Sequence, residues 1–240
     1  RTGEIRAWIG GTHMKYFQLD HAKKSTKRQV GSTMKPLQYA VAIERGYEPC
    51  HPFTYSAPAC GNGGWNPAGT NRWKEGESVP MQEGLWYSDN RMTANVMCDF
   101  GPEALVEMAR KLKIESALEP VPALCLGVSD ISLTEMVGAY TAFANLGTYS
   151  QPVFIKKITD KKGNVLATFG TNQQEALAEN VAYTTNEMMK GVIDKGTGAK
   201  LRSRYNLKTM AISGKTGTTQ SNADAWFIGV TPDLVTGCWV

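Results

Sequence analysis

The chain has little of what would make it a membrane-spanning, metal-binding or heavily cross-linked protein. Its longest apolar runs, such as Met210–Ile212 and Gly237–Val240, fall far short of the roughly 20 residues a bilayer helix needs, so nothing reads as a span. Three histidines (His13, His21 and His51) and five cysteines (Cys50, Cys60, Cys98, Cys125 and Cys238) include no Cys-x-x-Cys pair, which argues against a closed zinc site. No metal and no cofactor are expected. An odd cysteine count leaves at least one thiol unpaired. Cys50 and Cys60 bracket a Pro-rich, aromatic stretch that a disulfide would close, with two unrelated buried thiols as the plainer reading. A net charge of +4 is too mild to require nucleic acid, and the cluster Lys23, Lys24, Lys27, Arg28 reads as a solvated loop.

What is present suits a folded enzyme-sized unit. At 240 residues, 42% hydrophobic and 20% charged, the chain can bury a sizeable core, as one large domain or two intimate subdomains. It opens at Arg1 without Met and closes on Cys238-Trp239-Val240, which reads as an excised piece.

The pattern along the chain predicts an α+β fold. Residues 4–9 alternate and then run apolar before Gly10-Gly11, as a strand entering a turn does. From Ser32 the spacing of Leu37, Ala40, Val41 and Ile43 predicts a helix ending at Gly46, with Pro36 in its first turn and Ser32 at its N-terminus. Residues 47–80, rich in glycine and aromatics without period, read as a long irregular connection. Helical patterns follow over Pro102–Leu112, Leu133–Leu146 and Asn180–Ile193. Val153–Thr159 and Val165–Phe169 flank Asp160-Lys161-Lys162-Gly163-Asn164 and predict a surface hairpin. Thr209–Thr219 and Ala225–Val240 are β-like. The expected arrangement is one antiparallel sheet built from strands near 4–20 and 209–240, around a mostly helical region over 32–195.

Three short motifs stand in one order: Ser32-Thr33-Met34-Lys35, Ser88-Asp89-Asn90 and Lys215-Thr216-Gly217. Each is weak alone, but chance gives all three in this order only roughly 1% of the time. Ser32 and Lys35, three apart on one helix face, put a hydroxyl and an amine within reach, and the helix N-terminus favours negative charge beside Ser32. Lys35 would act as a base only if burial or a neighbouring cation such as Lys215 lowered its pKa from about 10.4. Without the other motifs, Ser32 reads equally well as a helix cap and Lys35 as a solvated side chain. Ser88 and Asn90, alternate residues of a turn after Met81–Tyr87, would point a hydroxyl and an amide into one cleft, or form an Asx-type turn. In the β-like segment, Gly217 lets a ligand backbone approach, while Thr216 and Thr218 would bind a carboxylate beside Lys215. Reading Gly214-Lys215-Thr216 as a phosphate loop fails, because its leading glycine would fall on Thr209.

This trio resembles the signature of penicillin-binding proteins and class A β-lactamases. The resemblance to the transpeptidase domain of class A, bifunctional penicillin-binding proteins runs nearly end to end, through Thr2–Ile5, Arg28–Pro36, Ala139–Asn145 and Asp224–Trp239. It implies one transpeptidase domain over residues 1–240, an acyl-serine enzyme acting on the D-Ala-D-Ala end of peptidoglycan stem peptides and inhibited by β-lactams. By the same carry-over Ser32 is the nucleophile and Lys35 the base, with Ser88, Asn90 and Lys215 completing the catalytic cleft. Thr216, Gly217 and Thr218 bind substrate, and the backbone N–H groups of Ser32 and Thr218 form the oxyanion hole. The resemblance further implies an extracytoplasmic setting and a membrane-anchored parent with a glycosyltransferase domain absent here. Two departures stand out. The family's last helix has not begun at Val240, so Phe227, Ile228 and Trp239 are expected to expose apolar surface. Trp86 replaces a residue expected to be small. The alternatives are a D,D-carboxypeptidase or serine β-lactamase with the same acylation machinery, or a non-enzymatic β-lactam sensor. Class A β-lactamases resemble the chain in the three motifs but add a loop carrying a Glu followed by Leu-Asn; Glu115, Glu119 and Pro120–Leu124 lack that pattern, which favours the transpeptidase.

Overall fold

A computed structural model describes residues 2–12, 15, 16, 18–60 and 64–240. In chain order its elements are β1 (Lys27–Gln29), a 3-10 turn (Gly31–Met34), α1 (Lys35–Glu44), β2 (Pro52–Thr54), β3 (Ser78–Pro80), α2 (Met81–Trp86), α3 (Asn90–Phe100) and α4 (Pro102–Lys111). A second 3-10 turn (Pro122–Leu126), β4 (Asp130–Ser132), α5 (Leu133–Ala144), β5 (Thr148–Ser150), β6 (Lys157–Thr159), β7 (Val165–Thr168) and β8 (Gln173–Glu175) follow. The chain continues with α6 (Glu179–Asp194), α7 (Lys200–Arg204), β9 (Ser213–Thr218), a third 3-10 turn (Gln220–Asn222), β10 (Ala225–Val230) and β11 (Val235–Trp239).

The main sheet is antiparallel in the order β11–β10–β9, with Ile228 opposite both Lys215 and Gly237 and Trp226 opposite Gly217 and Trp239. Because side chains alternate across a strand, Lys215, Trp226, Ile228 and Val230 share one face, which α5 and α6 cover. All four are buried there. Apolar residues surround α1 on every side, and residues 35–42 are all buried, as a central helix requires. It packs between α6 on one side and α3 and α4 on the other.

Two expectations for this sheet are corrected. Residues 4–9 add no strand to it; among the described residues of the 4–20 stretch there is one isolated bridge, Glu4 to Val153, while residues 13, 14 and 17 lie outside the description. The apolar side chains there find other partners: Trp8 packs edge-on against Phe154 and donates its indole N–H to Asp20, 2.9 Å away. Among the described residues the sheet is therefore C-terminal alone. Nor does Ile228 expose apolar surface, and Trp239 is half-buried. Period-two alternation turns both inward, where Ile228 is fully buried and the Trp239 indole N–H reaches Asp224 at 2.9 Å while its ring stacks on His21. Phe227 alone of the three is on the outer face, lying over Gly214 and Gly229, either of which would crowd it with a Cβ.

Elsewhere the hairpin falls where expected, as β6 and β7 joined by a turn in which Asp160 accepts from the backbone N–H groups of Lys162 and Asn164. The 47–80 connection is less irregular than its composition predicts, because β2 and β3 pair across it; residues 61–63 lie outside the description. Its cysteine pairs differently from either expectation: Cys60 is bonded to Cys98 of α3, and Cys50 is a free, exposed thiol. The long connection folds back over α3, so its bonding partner is distant in sequence. Among the described residues no helix is long and apolar enough to cross a membrane.

At the start of α5, Ser132 and Glu135 form a reciprocal capping box. Burial opposes charge on the Glu135 carboxylate, yet hydrogen bonds from Ser132 and Ser116, hydroxyl and backbone alike, hold its pKa below the ordinary 4.5. A depressed folded-state pKa adds stability above the unfolded value and loses it as pH falls through the folded value. Glu135→Gln, whose amide would confront donors with donors, should cost about 1–3 kcal/mol at pH 7 by urea denaturation. That difference should shrink below pH 4.5. A pH-independent difference would mean that the carboxylate's charge is not what the four groups hold.

Candidate active site

Ser32 and Lys35 are brought to the sheet by a turn whose geometry follows from two neighbours. Gly31 has φ +54°, and a Cβ there would lie 2.8 Å from the Thr218 carbonyl oxygen, so glycine lets this turn lie against β9. An α-helical hydrogen bond into the Ser32 carbonyl would have to come from residue 36, and Pro36 has no N–H. The Lys35 N–H takes that carbonyl instead. Residues 31–34 therefore wind as a 3-10 turn and the α-helix begins at Lys35, three residues later than the sequence pattern suggests.

Lys35 and Lys215 are both fully buried, and one hydroxyl joins them. Lys35 Nζ lies 2.7 Å from the Ser88 carbonyl oxygen, 2.7 Å from Asn90 Oδ1 and 3.3 Å from Ser88 Oγ. Lys215 Nζ donates to the same Ser88 Oγ at 2.9 Å and to the Thr216 carbonyl at 3.0 Å. Loss of water is the main cause that lowers the Lys35 pKa to about 8, only partly offset by Cys125 and Asp89. Burial first, and then the like charge of Lys35, hold Lys215 well below an ordinary lysine. Since the two amines interact, their protons leave in steps that belong to the pair.

The chain reversal between α2 and α3 places Ser88 and Asn90. Ser88 has φ +55°, a conformation that non-glycine residues adopt at a cost and that clusters at functional sites. Its backbone carbonyl and hydroxyl both face the amines as a result. Asn90 belongs to the first turn of an eleven-residue helix and not to a free turn. On β9, Gly217 and Thr218 lie against residues 30–33: a Cβ on Gly217 would be 2.8 Å from the Val30 carbonyl and 2.9 Å from Thr33 Cγ2. Thr216 and Thr218 point to the face opposite Lys215, and the Thr216 hydroxyl meets that of Thr197 at 2.6 Å. The structure thus gathers Lys35, Ser88, Asn90 and Lys215 into one hydrogen-bonded cluster, with Ser32 one turn before Lys35 and residues 216–218 beside it. A serine hydroxyl next to amines of lowered basicity can be deprotonated and attack a carbonyl.

Several contributors escape sequence reading. Asp89, between the two polar residues of its motif, is fully buried; its carboxylate caps α3 through the Met92 N–H (2.8 Å), holds the Thr70 N–H (2.6 Å) and accepts from the Tyr55 hydroxyl (3.3 Å). Tyr140, buried on α5, donates to the Thr33 carbonyl at 2.6 Å and fixes the serine-bearing turn from below. Trp86 fits despite its bulk because α6 supplies glycine opposite it: a Cβ on Gly191 would fall 1.9 Å from its indole nitrogen, which donates to the Met188 carbonyl.

A family model described as the penicillin binding protein transpeptidase domain matches residues 1–236. The sequence is 34% identical to penicillin-binding protein 1A of Aquifex aeolicus, over all of this chain and 33% of that one. The chain spans about a third of the length of the curated relatives it matches. Among solved structures it is similar in fold to penicillin-binding protein 1A of Haemophilus influenzae, with a TM-score of 0.85 at 22% identity over 96% of this chain and 40% of that one. It also resembles the imipenem acyl-enzyme complex of penicillin-binding protein A from M. tuberculosis, with a TM-score of 0.81 at 19% identity over 92% of this chain and 56% of the other.

The double grip of Asp89 on Met92 and Thr70 generates a prediction about the frame of the site. Asp89→Asn keeps the shape but turns a donor towards one of those N–H groups, and should destabilise the protein by about 1–3 kcal/mol in denaturant unfolding. A change below about 0.5 kcal/mol, the ordinary surface range, would contradict a framing role.

Proposed function

The chain belongs to the penicillin-binding protein transpeptidase family, and on that premise we propose that it is a serine D,D-transpeptidase that cross-links peptidoglycan stem peptides and is acylated by β-lactams. One observation carries the reading. Lys35, one turn after Ser32, is buried with its amine held by the Ser88 carbonyl and Asn90 Oδ1, each at 2.7 Å, and by Ser88 Oγ at 3.3 Å, the hydroxyl it shares with Lys215. In its neutral form such an amine can take a proton from a serine hydroxyl. Burial brings the neutral form within reach, since it disfavours the charged amine and lowers its pKa to about 8.

In this reading Ser32 Oγ attacks the carbonyl carbon of the penultimate D-Ala while its proton passes to Lys35. The oxyanion sits between the backbone N–H groups of Ser32 and Thr218, whose segments lie against each other. Collapse of the tetrahedral adduct breaks the C–N bond, and the departing D-Ala amine takes a proton delivered through Ser88 Oγ, which touches both lysines. An acceptor amine then attacks the Ser32 ester and the hydroxyl is restored. The substrate's terminal carboxylate binds Thr216 and Thr218 beside Gly217.

Water is a poorer acceptor here than an amine. Asp89 is the carboxylate that acts electrostatically on Lys35, and Met92, Thr70 and Tyr55 already occupy it. Among the described residues, Glu115 is tied to Lys24 and Glu119 is exposed. The family also supports an extracytoplasmic setting, with the parent protein anchored in the membrane and carrying a glycosyltransferase domain.

Incubation with a fluorescent penicillin should give one adduct, located by mass on Ser32 and absent in Ser32→Ala. Its rate of formation should rise with pH and level off above about 8, the pKa of Lys35. Lys35→Met should slow it by about 10²–10⁴, the worth of a positioned base. An adduct on another residue, or a rate indifferent to pH and to Lys35, would defeat the assignment; release of many equivalents within minutes would point to a β-lactamase.

A further inference from the structure

A cavity of about 640 Å³ shares no residue with the lysine cluster or with residues 216–218. One side of it follows from strand alternation. β5 and β8 pair with Tyr149 opposite Gln174, and the ladder continues one step beyond the strands, where the Gln151 N–H donates to the Asn172 carbonyl. Side chains two residues apart on a strand lie on one face, so Tyr149, Gln151, Asn172 and Gln174 stand together, and all four line the cavity. Gln173 and Ser150 bond to each other on the opposite face.

The remaining lining comes from elsewhere in the chain. Trp8 and Phe154, their rings 4.9 Å apart and inclined at 62°, form an apolar corner, and Phe154 is 63% exposed. Lys113 has φ +63° just after α4, a position where glycine is usual, and with Lys23 it adds two cations to the lining. The acids there are already engaged: Asp20 by the Trp8 indole, Glu115 by Lys24, and Glu135 by Ser116 and Ser132. Among the described residues the amines of Lys23 and Lys113 and the carboxamides of Gln151, Asn172 and Gln174 have no side-chain partner. Rings set beside unpaired amides suit a saccharide. The C–H face of a sugar ring packs on an aromatic ring, and a carboxamide, with donor and acceptor side by side, matches two neighbouring hydroxyls. An acyl chain would instead strip water from three amides and replace none of their hydrogen bonds.

We propose that this cavity binds a negatively charged saccharide chain, with a sugar ring against Trp8 and Phe154, hydroxyls at the three amides, and an acidic substituent at Lys23 and Lys113. The site is separate from the transfer reaction, since none of these residues takes part in acylation, and its test does not depend on catalysis. Its size falls within the range of about 300–1,000 Å³ common to small-ligand sites. The two lysines are near solvent, so their combined preference for an acidic sugar over a neutral one is about fivefold and weakens with salt.

The test is an NMR titration of ¹⁵N-labelled protein with three probes: a hyaluronan tetrasaccharide, in which N-acetylhexosamine alternates with uronic acid, the neutral chitotetraose, and pentaglutamate. The hyaluronan fragment should shift the Trp8 indole N–H and the side-chain amides of Gln151, Asn172 and Gln174, and leave the backbone N–H groups of Ser32, Ser88 and Thr216 in place. At low salt its Kd should be about fivefold below that of chitotetraose. Lys23→Gln/Lys113→Gln should bind the two sugars alike, and Phe154→Ala/Gln174→Ala should weaken both about fivefold. A thermal midpoint equal to wild type checks that each variant is folded, and the wild-type titration stands without them. No shift of the Trp8 indole and the three amides, equal affinity for the two sugars, an acid preference that survives in the lysine double variant, or pentaglutamate binding there as tightly as the acidic sugar, would each overturn the proposal.

Discussion

Burying two lysine amines beside one another is the constraint on which the rest of this structure depends. Removing an ammonium ion from water costs several kcal/mol, and here Lys35 and Lys215 are both inaccessible and share a single hydroxyl. The protein lowers that cost by surrounding the amines with oxygen acceptors and by making proton loss easy. A group that would be a solvated cation on the surface becomes a base near neutral pH because of where the fold puts it.

Keeping water out and acceptors in place requires contributions from distant parts of the chain. Lys35 extends from a helix buried all round, Lys215 from the covered face of β9, and Ser88 and Asn90 from the reversal between α2 and α3. Asp89 ties that reversal to the 70s loop, Tyr140 holds the turn carrying Ser32, and Gly31 and Gly217 let the turn and β9 approach. Each tie is an ordinary hydrogen bond or a missing Cβ. Together they position Ser88 and Asn90, both half-buried, against two buried amines, where small displacements would leave donors unmatched.

Much of this was legible in the sequence. The helices α1, α4, α5 and α6, the β6–β7 hairpin and the C-terminal strands follow from periodicity, and the three motifs name the side chains that the structure gathers. The misses have physical causes. Alternation in residues 4–9 does not reveal that Trp8 will pack on Phe154, a choice made by tertiary contact. The start of α1 moved because Pro36 removes one donor, and α3 was hidden because its first residue was read only as motif. No spacing rule pairs Cys60 with Cys98. Asp89 lay in plain view within its motif, but its importance depends on the two backbone N–H groups brought to it. Glycine opposite Trp86 is likewise visible only when α6 lies across it.

The central claim is that burial, and not a reacting substrate, makes Lys35 a base. Following the side-chain carbons next to the lysine amines by NMR as pH is raised, with ¹³C-labelled lysine, tests it in the resting protein. The account predicts a titration step near pH 8 that disappears in Lys35→Met. If Lys35 instead titrates with the ordinary lysines near 10.5, burial has not lowered its basicity and the account is wrong.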